Sequence, residues 1–297
     1  KAPERPLFLG NAGTATRVLT AAAALVHGTV VVDGDEHMRK RPIGPLVEAM
    51  RALGIDISAP TGCPPVTVHG TGGFDPEDVL IDGGRAMQHM TAFGAKVERL
   101  DAIRWRVEPT GYRATDFHIE PDASAATYLW AAEVLTGGSI DLGVPAADFS
   151  QPDARSHELI AAFPRMPSEL DGSQMQDAVP TLAVLAAFNE APVRFTGIEN
   201  LRVKECDRIR ALSLGLNAIR PGLAREEGDD LVVASDPALS GSTPARINTF
   251  SDHRIAMSFA LAGLKLSDIT ILDPDCVAKT FPAYWDTLAA LGVSYKA

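Results

Sequence analysis

Apolar residues along this chain recur at helical spacing in some stretches and cluster as short β-branched runs in others, and the two kinds alternate. Leu7 to Leu9 is a short apolar entry, Val18 to Val26 an alanine-rich helical run, Thr29 to Asp33 a strand, Pro42 to Leu53 a second helix and Ile55 to Ser58 a further strand. Gly28 and Gly54 stop the two helices, and the polar residues from Asp35 to Arg41 form the loop that precedes the second. This order makes a unit of roughly 45 residues, and it returns. Asp122 to Leu135, Ser139 to Leu142 and Asp153 to Phe163 read as helix, strand and helix, with Gly137 and Gly138 as the stop. Asp177 to Phe188, Val193 to Thr196 and Asp207 to Ile219 read the same way, as do Asp252 to Leu264, Asp268 to Leu272 and Phe281 to Leu291. Four copies of one alternation predict an α/β chain built by repetition.

Between the first and second copies the pattern changes. Pro65 to His69, Asp78 to Asp82, Ala95 to Glu98, Ile103 to Glu108 and Asp116 to Glu120 read as strands, with Arg85 to Phe93 as a short helix. Gly83-Gly84-Arg85 runs from a strand straight into the tail of a helix, and Phe163-Pro164-Arg165 closes a helix with no strand after it. Residues omitted at these joins and before Lys1 are expected. With 297 residues, 46% of them apolar, the chain can bury two cores, so two domains are expected, residues 1–120 and 121–297.

The polar positions point to anions. Gly10-Asn-Ala-Gly-Thr-Ala-Thr-Arg17 sits where the first strand gives way to a helix; its glycines let a ligand approach, Asn11 and Thr14 can cap, and Arg17 lies one turn in. The stretch lacks the closing Gly-Lys-Ser/Thr of a nucleotide P-loop. Each later copy also opens its first helix on Asp or Ser, at Asp122, Ser124, Asp177, Ser251 and Asp252, which ordinary capping explains. The loops ahead of the second helices carry Arg39, Lys40 and Arg41, then Arg202, Lys204, Glu205 and Arg208, then Lys279. Cations at one place in a repeat, on a chain of net charge −11, predict convergence on something anionic. That same balance argues against nucleic acid, and no run is apolar and long enough for a membrane span. Cys63, Cys206 and Cys276 lack CxxC spacing and the seven histidines are scattered, so reduced thiols, a cytoplasmic setting and no metal are expected.

Five segments together carry a family resemblance: Leu9 to Arg17, Lys40-Arg-Pro-Ile-Gly44, Leu201-Arg-Val-Lys-Glu-Cys-Asp-Arg208, Ser251-Asp-His-Arg-Ile-Ala-Met257 and Ala278-Lys-Thr-Phe-Pro282. In this order they resemble the signature segments of the 5-enolpyruvylshikimate-3-phosphate synthases, over nearly the whole chain. The resemblance implies a two-domain inside-out α/β barrel made of six βαβαββ units around buried helices, with the active site in the cleft between domains. The implied reaction moves the enolpyruvyl group of phosphoenolpyruvate onto the 5-hydroxyl of shikimate 3-phosphate and releases phosphate, on the route to chorismate and aromatic amino acids. No cofactor is implied, and the chain is expected to act as a monomer on these two small molecules.

Two multiply charged anions held side by side at ~6 Å repel by roughly 3 kcal/mol per charge pair at an effective dielectric of about 20, so several fixed cations are needed. The resemblance assigns Arg41, Arg208, Arg254, Lys279 and the backbone at Gly13 to phosphoenolpyruvate, and Lys204 and Asn200 to shikimate 3-phosphate; Asn11 and Thr14 are candidate substrate-binding residues, and His253 is either a donor to the reacting phosphate or a helix-start residue. Asp177 is implied as the base for the hydroxyl and Glu205 as the acid for the methylene carbon. Read without the motifs, Asp177 is a helix cap and Glu205 a partner of Lys204 or Arg208. The family's amino-terminal Lys-Ser segment has no counterpart before Lys1, its Ser-Ser-Gln segment none at Gly83-Gly84, and Val18 stands where many relatives carry proline. Glyphosate competition at the phosphoenolpyruvate pocket is a further family expectation. The alternatives are the sister transferase acting on UDP-N-acetylglucosamine, whose reactive cysteine has no matching context here, and a non-catalytic anion-binding remnant.

Overall fold

In the computed structural model, which describes residues 1–74, 90–101, 105–108, 111, 113–116 and 118–296, the alternation seen in the sequence becomes two units, Lys1–Ile119 and Glu120–Ala297. The first begins with β1 (Leu7–Phe8), α1 (Gly13–Ala23), β2 (Gly28–Asp33), a 3-10 turn at Met38–Lys40, α2 (Gly44–Ala52), β3 (Asp56–Ser58) and β4 (Val66–Gly70). Its sheet runs β1-β2-β4-β3, with β1 parallel to β2 and the other two pairs antiparallel. Val30, Val32, Ile57, Val66 and Val68 are buried while Val31, Asp56, Ser58 and Thr67 beside them are less so, and the buried sheet face packs on Ala23 and Ala24 at the end of α1 and on Val47 and Met50 of α2. A short antiparallel pair, β5 (Val97–Arg99) with β6 (Trp105–Val107), follows. The expected strand Asp78 to Asp82, the Gly83-Gly84-Arg85 join and most of the expected helix Arg85 to Phe93 lie outside the described residues. Asp116 to Glu120, expected as a strand, has no strand among its described residues.

The second unit repeats the same plan. After α3 (Ala123–Thr136) and α4 (Ser156–Ala161) come β7 (Glu169–Asp171), α5 (Val179–Ala186), β8 (Val193–Thr196), α6 (Arg208–Ile219), β9 (Ala224–Glu227) and β10 (Asp230–Val233). The sheet order β7-β8-β10-β9 has the same parallel, antiparallel, antiparallel sequence of pairs as the first sheet, with a helix in each of the first two connections. Both are therefore βαβαββ units. A third begins with β11 (Gly241–Ile247), α7 (His253–Ala262), β12 (Leu266–Ile271) and α8 (Tyr284–Ala290), β11 and β12 being parallel. The hydroxyls of Thr127, Thr181 and Ser258 form a buried chain (3.2 and 3.4 Å) across α3, α5 and α7. All eight residues of α5 are buried, which accounts for its lack of a polar face.

Three expectations for this unit are corrected. Ser139 to Leu142 is not a strand: the Ile140 amide donates to the Glu133 side chain (2.6 Å) instead of to a ladder. The helix expected over Asp153 to Phe163 is divided into a 3-10 turn, Pro152–Arg155, and α4. A strand does follow Phe163-Pro164-Arg165, namely β7, whose three residues bring only Leu170 to the core and leave too short a pattern to read.

Candidate active site

The first unit supplies a helix start with two guanidinium groups. Ala12, not Asn11 or Thr14, occupies the cap position of α1, and no side chain caps it; Thr16 instead turns its hydroxyl back to the Ala12 carbonyl (3.0 Å). The capping expected of Asn11 and Thr14 is therefore corrected: the turn at Gly10, with φ +52°, delivers the chain directly into helix at Gly13. Gly13 is needed for space. A Cβ there would lie 2.7 Å from Arg41 Nη1 and 3.5 Å from Arg17 Nη1. Arg17 donates to the Gly13 carbonyl (3.3 Å) and to the Pro42 carbonyl (3.0 Å), and its pKa is pulled down by burial and by the like charge of Arg41. An anion at this helix start relieves that repulsion.

The second unit gathers residues from three connections. Arg208, the first residue of α6 and 1% exposed, donates from Nη1 to Asp177 (2.8 Å), from Nη2 to Glu205 (2.6 Å) and from Nε to Asp252 (2.7 Å). Arg254 Nη2 lies 3.1 Å from the other Asp177 oxygen, Lys204 Nζ 3.8 Å from Asp177, and Lys279 Nζ 2.6 Å from Glu205 Oε1. Four cations thus face three carboxylates. Local signals place them: Asp207 caps α6 by accepting from the Arg210 amide, and Asp252 caps α7 by accepting from the Arg254 amide, which sets Arg208 and Arg254 at the starts of two helices.

Burial alone would favour a neutral Asp177, but Arg254, Arg208 and Lys204 outweigh it and hold the carboxyl at about 2. Lys204 is shifted the other way, downward, chiefly because it is desolvated. The reading of Asp177 as a helix cap is corrected, since Ala178 takes that position in α5 and the carboxylate serves the arginines. Glu205 pairs with Arg208 and Lys279. Asn200 is exposed on the 3-10 turn Glu199–Val203, and no hydrogen bond or ion pair ties it to this cluster among the described residues.

The loop cations sort by position. Arg41 and Lys204 immediately follow 3-10 turns, and Lys279 ends one, at corresponding places in three units. Arg39 and Arg202 do not join them, contrary to the expected convergence. Arg39 is paired with Asp33 (2.6 Å), and Arg202 with Asp207, Glu226 and Asp229 (2.9, 3.0 and 2.7 Å). Two contributors are not singled out by the sequence: Asp252, a cap inside the Ser251–Met257 segment, which pairs with Arg208, and Tyr128, part of an alanine-rich helix, which accepts from Arg254. The signal available was their position at or one turn inside helix starts of the repeat.

His253 is 2% exposed and neither ring nitrogen has a hydrogen-bond partner among the described residues; burial, opposed by Asp252 at 3.9 Å, lowers its pKa to about 4. A histidine held neutral in the fold stabilises above its unfolded pKa of ~6.5, and that contribution is lost as pH falls towards 4, on the order of 3 kcal/mol in all. Denaturant midpoints at pH 7 and pH 4.5 are expected to differ more for the wild type than for His253→Gln. Equal differences would refute the assignment.

Neither Cys206 nor Cys276 is primed as a nucleophile. Burial, with Asp252 3.5 Å from its sulfur, pushes the Cys206 thiol far above its usual range, and burial raises Cys276 to about 11. No helix among the described residues is long and apolar enough to cross a membrane.

The profile of the EPSP synthase (3-phosphoshikimate 1-carboxyvinyltransferase) family matches residues 1–84, 82–153 and 153–288. The chain belongs to the EPSP synthase family. A 3-phosphoshikimate 1-carboxyvinyltransferase of Rhizobium leguminosarum bv. trifolii is 70% identical, the match covering 99% of this chain and 79% of the relative; one of Pseudomonas syringae pv. syringae is 59% identical with the same coverage. The alignment with the Rhizobium enzyme runs over 331 positions, more than the 297 residues present, so part of the relative's matched length has no counterpart here. The EPSP synthase profile breaks at 82–84, where Gly83-Gly84 stands, and at Asp153 rather than at Phe163 to Arg165. An EPSP synthase from Acinetobacter baumannii shares the fold, with TM-score 0.70 and 22% identity over 99% of this chain and 80% of that one. The enolpyruvyl transferase NikO from Streptomyces tendae is similar at TM-score 0.60 and 16% identity, over 94% and 76%. The inside-out α/β architecture expected from the motifs is thus the architecture of this EPSP synthase family member, whose described strands form open sheets.

Proposed function

We propose that this chain transfers the enolpyruvyl group of phosphoenolpyruvate to the 5-hydroxyl of shikimate 3-phosphate, releasing phosphate. The observation that carries the reading is the interleaving of Lys204, Arg208, Arg254 and Lys279 with Asp177 and Glu205: anion-binding cations and acid–base carboxylates share one network. Planar guanidinium forks suit the carboxylate and phosphate of phosphoenolpyruvate, and Lys204 with Asn200 is read as serving shikimate 3-phosphate. Residues 1–120 and 121–297 are read as the family's two lobes, and the chain as a cytoplasmic monomer with two small-molecule substrates and no cofactor.

In the proposed chemistry the 5-hydroxyl oxygen bonds to C2 of phosphoenolpyruvate while its proton passes to Asp177 and Glu205 protonates the methylene carbon. The tetrahedral ketal then loses phosphate and a methyl proton to give the enol ether. A carboxyl held near 2 is a weak base. Substrate anions drawing on Arg208, Arg254 and Lys204 weaken the field on Asp177 and raise its proton affinity, so substrate binding itself readies the base.

The test is phosphate release and product analysis with each acceptor. Release that depends on shikimate 3-phosphate, yielding its enolpyruvyl ether, is expected. Binding without release would favour the non-catalytic reading, and transfer to UDP-N-acetylglucosamine the sister enzyme. At the first unit's helix start, Gly13→Ala places a methyl 2.7 Å from Arg41 Nη1, a contact the flexible guanidinium relieves by moving. The KM for phosphoenolpyruvate is expected to rise by about tenfold, equivalent to one displaced charge-assisted hydrogen bond, with the KM for shikimate 3-phosphate little changed. An unaltered phosphoenolpyruvate KM would remove Arg41 from that pocket.

A further inference from the structure

We propose that Tyr128 is a positioning residue that fixes the plane of the Arg254 guanidinium and so sets the affinity for phosphoenolpyruvate. This rests on the reading above that Arg254 holds that substrate. Arg254 is nearly buried and reaches two side chains: Nη2 meets Asp177 at 3.1 Å, and Nη1 donates to the Tyr128 hydroxyl at 3.4 Å. Asp177 alone cannot fix the fork, because it is shared with Arg208 and Lys204. A second acceptor on the other nitrogen defines the plane.

The tyrosine is itself held in place. Tyr128 is fully buried on α3, and its ring meets that of Tyr284 edge-on at 5.7 Å. The Tyr284 hydroxyl in turn donates to the Met257 carbonyl (2.8 Å), one turn along α7 from Arg254. Helices α3, α8 and α7 thus close a circuit around the arginine. On α3 the neighbouring Thr127 hydroxyl is tied to Thr181, and the start of the helix is pinned by Asp122 and by Gln151, which accepts from the Ala123 amide (3.0 Å).

The two acceptors differ in chemistry. Asp177 is the group proposed to take a proton, so its hold on Arg254 weakens during turnover. Burial keeps Tyr128 neutral, its pKa pushed up to about 12, so its hydroxyl is the same acceptor before and after proton transfer. An orienting bond that does not titrate keeps the fork aimed at the substrate throughout the cycle.

The test compares Tyr128→Phe, Tyr284→Phe, Arg254→Lys and the double variant Tyr128→Phe/Arg254→Lys. Tyr128→Phe keeps the ring and is expected to fold, to raise the KM for phosphoenolpyruvate about tenfold, as for one lost hydrogen bond to a charged group, and to leave the KM for shikimate 3-phosphate unchanged. Tyr284→Phe, equally buried but bonded only to backbone, is expected to lower the melting temperature without moving either KM. In the Arg254→Lys background the Tyr128 change should add nothing. An unchanged phosphoenolpyruvate KM in Tyr128→Phe, an equal rise in Tyr284→Phe, or additivity in the double variant would each overturn the proposal. If Arg254→Lys leaves that KM unaltered, the assignment of Arg254 to the substrate is what fails, and the positioning role falls with it.

Discussion

Asp177→Ala and Glu205→Gln are each expected to cut turnover by about 100-fold or more at saturating substrates, the usual loss when a positioned acid or base is removed. The two variants test different steps. Asp177 lies among Arg208, Arg254 and Lys204, where its charge is held by three cations; Glu205 spans Arg208 and Lys279, with one oxygen on each. Glu205→Gln preserves volume but keeps an acceptor for only one of the two cations and has no carboxyl proton to give, so incorporation of solvent hydrogen into the product methylene group should fall with turnover. Steady-state phosphate release gives the rates, and calorimetry with shikimate 3-phosphate shows whether binding survives. Near-normal turnover in either variant would remove that residue from the chemistry. Ionisation adds a stability effect with a definite sign. Asp177 titrates lower in the fold than in the unfolded chain, so its pairing stabilises above pH ~4 and is lost as pH falls through about 2.

How far the sequence reached depends on what each element answers to. Val193 to Thr196 is a strand with the expected ends, because three of its four residues, Val193, Phe195 and Thr196, are β-branched or aromatic and the run lies between a turn and Gly197. The helix starts at Asp122, Asp207 and Asp252 were legible because each aspartate accepts from an amide two or three residues on, a local interaction. The sequence pattern does not show the hairpin of β9 and β10. Ala224-Arg-Glu-Glu carries three charges in four residues, and it is a strand by its ladder with β10, with Glu227 and Glu226 paired to Arg194 and Arg202 from other segments. At the site, motif segments located the cations, but not which of them were already engaged. Arg202 and Lys204 are two residues apart in one segment, yet one is bound up in the hairpin and the other faces Asp177. That difference is set by register and by which side of a 3-10 turn each residue leaves, and composition does not contain it.

The largest stability effect is expected at Arg208. Its guanidinium is buried against Asp177, Glu205 and Asp252, and Asp252 itself is fully buried. Arg208→Met keeps most of the packing but takes the guanidinium from the buried Asp252, while Asp177 and Glu205 keep only Arg254, Lys204 and Lys279, which costs about 3–5 kcal/mol. Over a unit of this size the melting temperature should fall by roughly 10 °C. Arg202→Ala is the contrast: it also breaks three ion pairs, but these are partly solvated, so a loss of about 1 kcal/mol or less is expected. Adding Asp252→Asn to Arg208→Met removes one of the repelling charges and should restore part of the loss, a coupling that independent sites would not show. A melting temperature for Arg208→Met within about 2 °C of wild type would mean that the carboxylates take up protons or water at little cost. The network would then contribute to binding and chemistry without holding the fold. Because the same arginine is assigned to phosphoenolpyruvate, lost activity in an Arg208 variant counts as evidence for substrate contact only after folding is shown at the assay temperature.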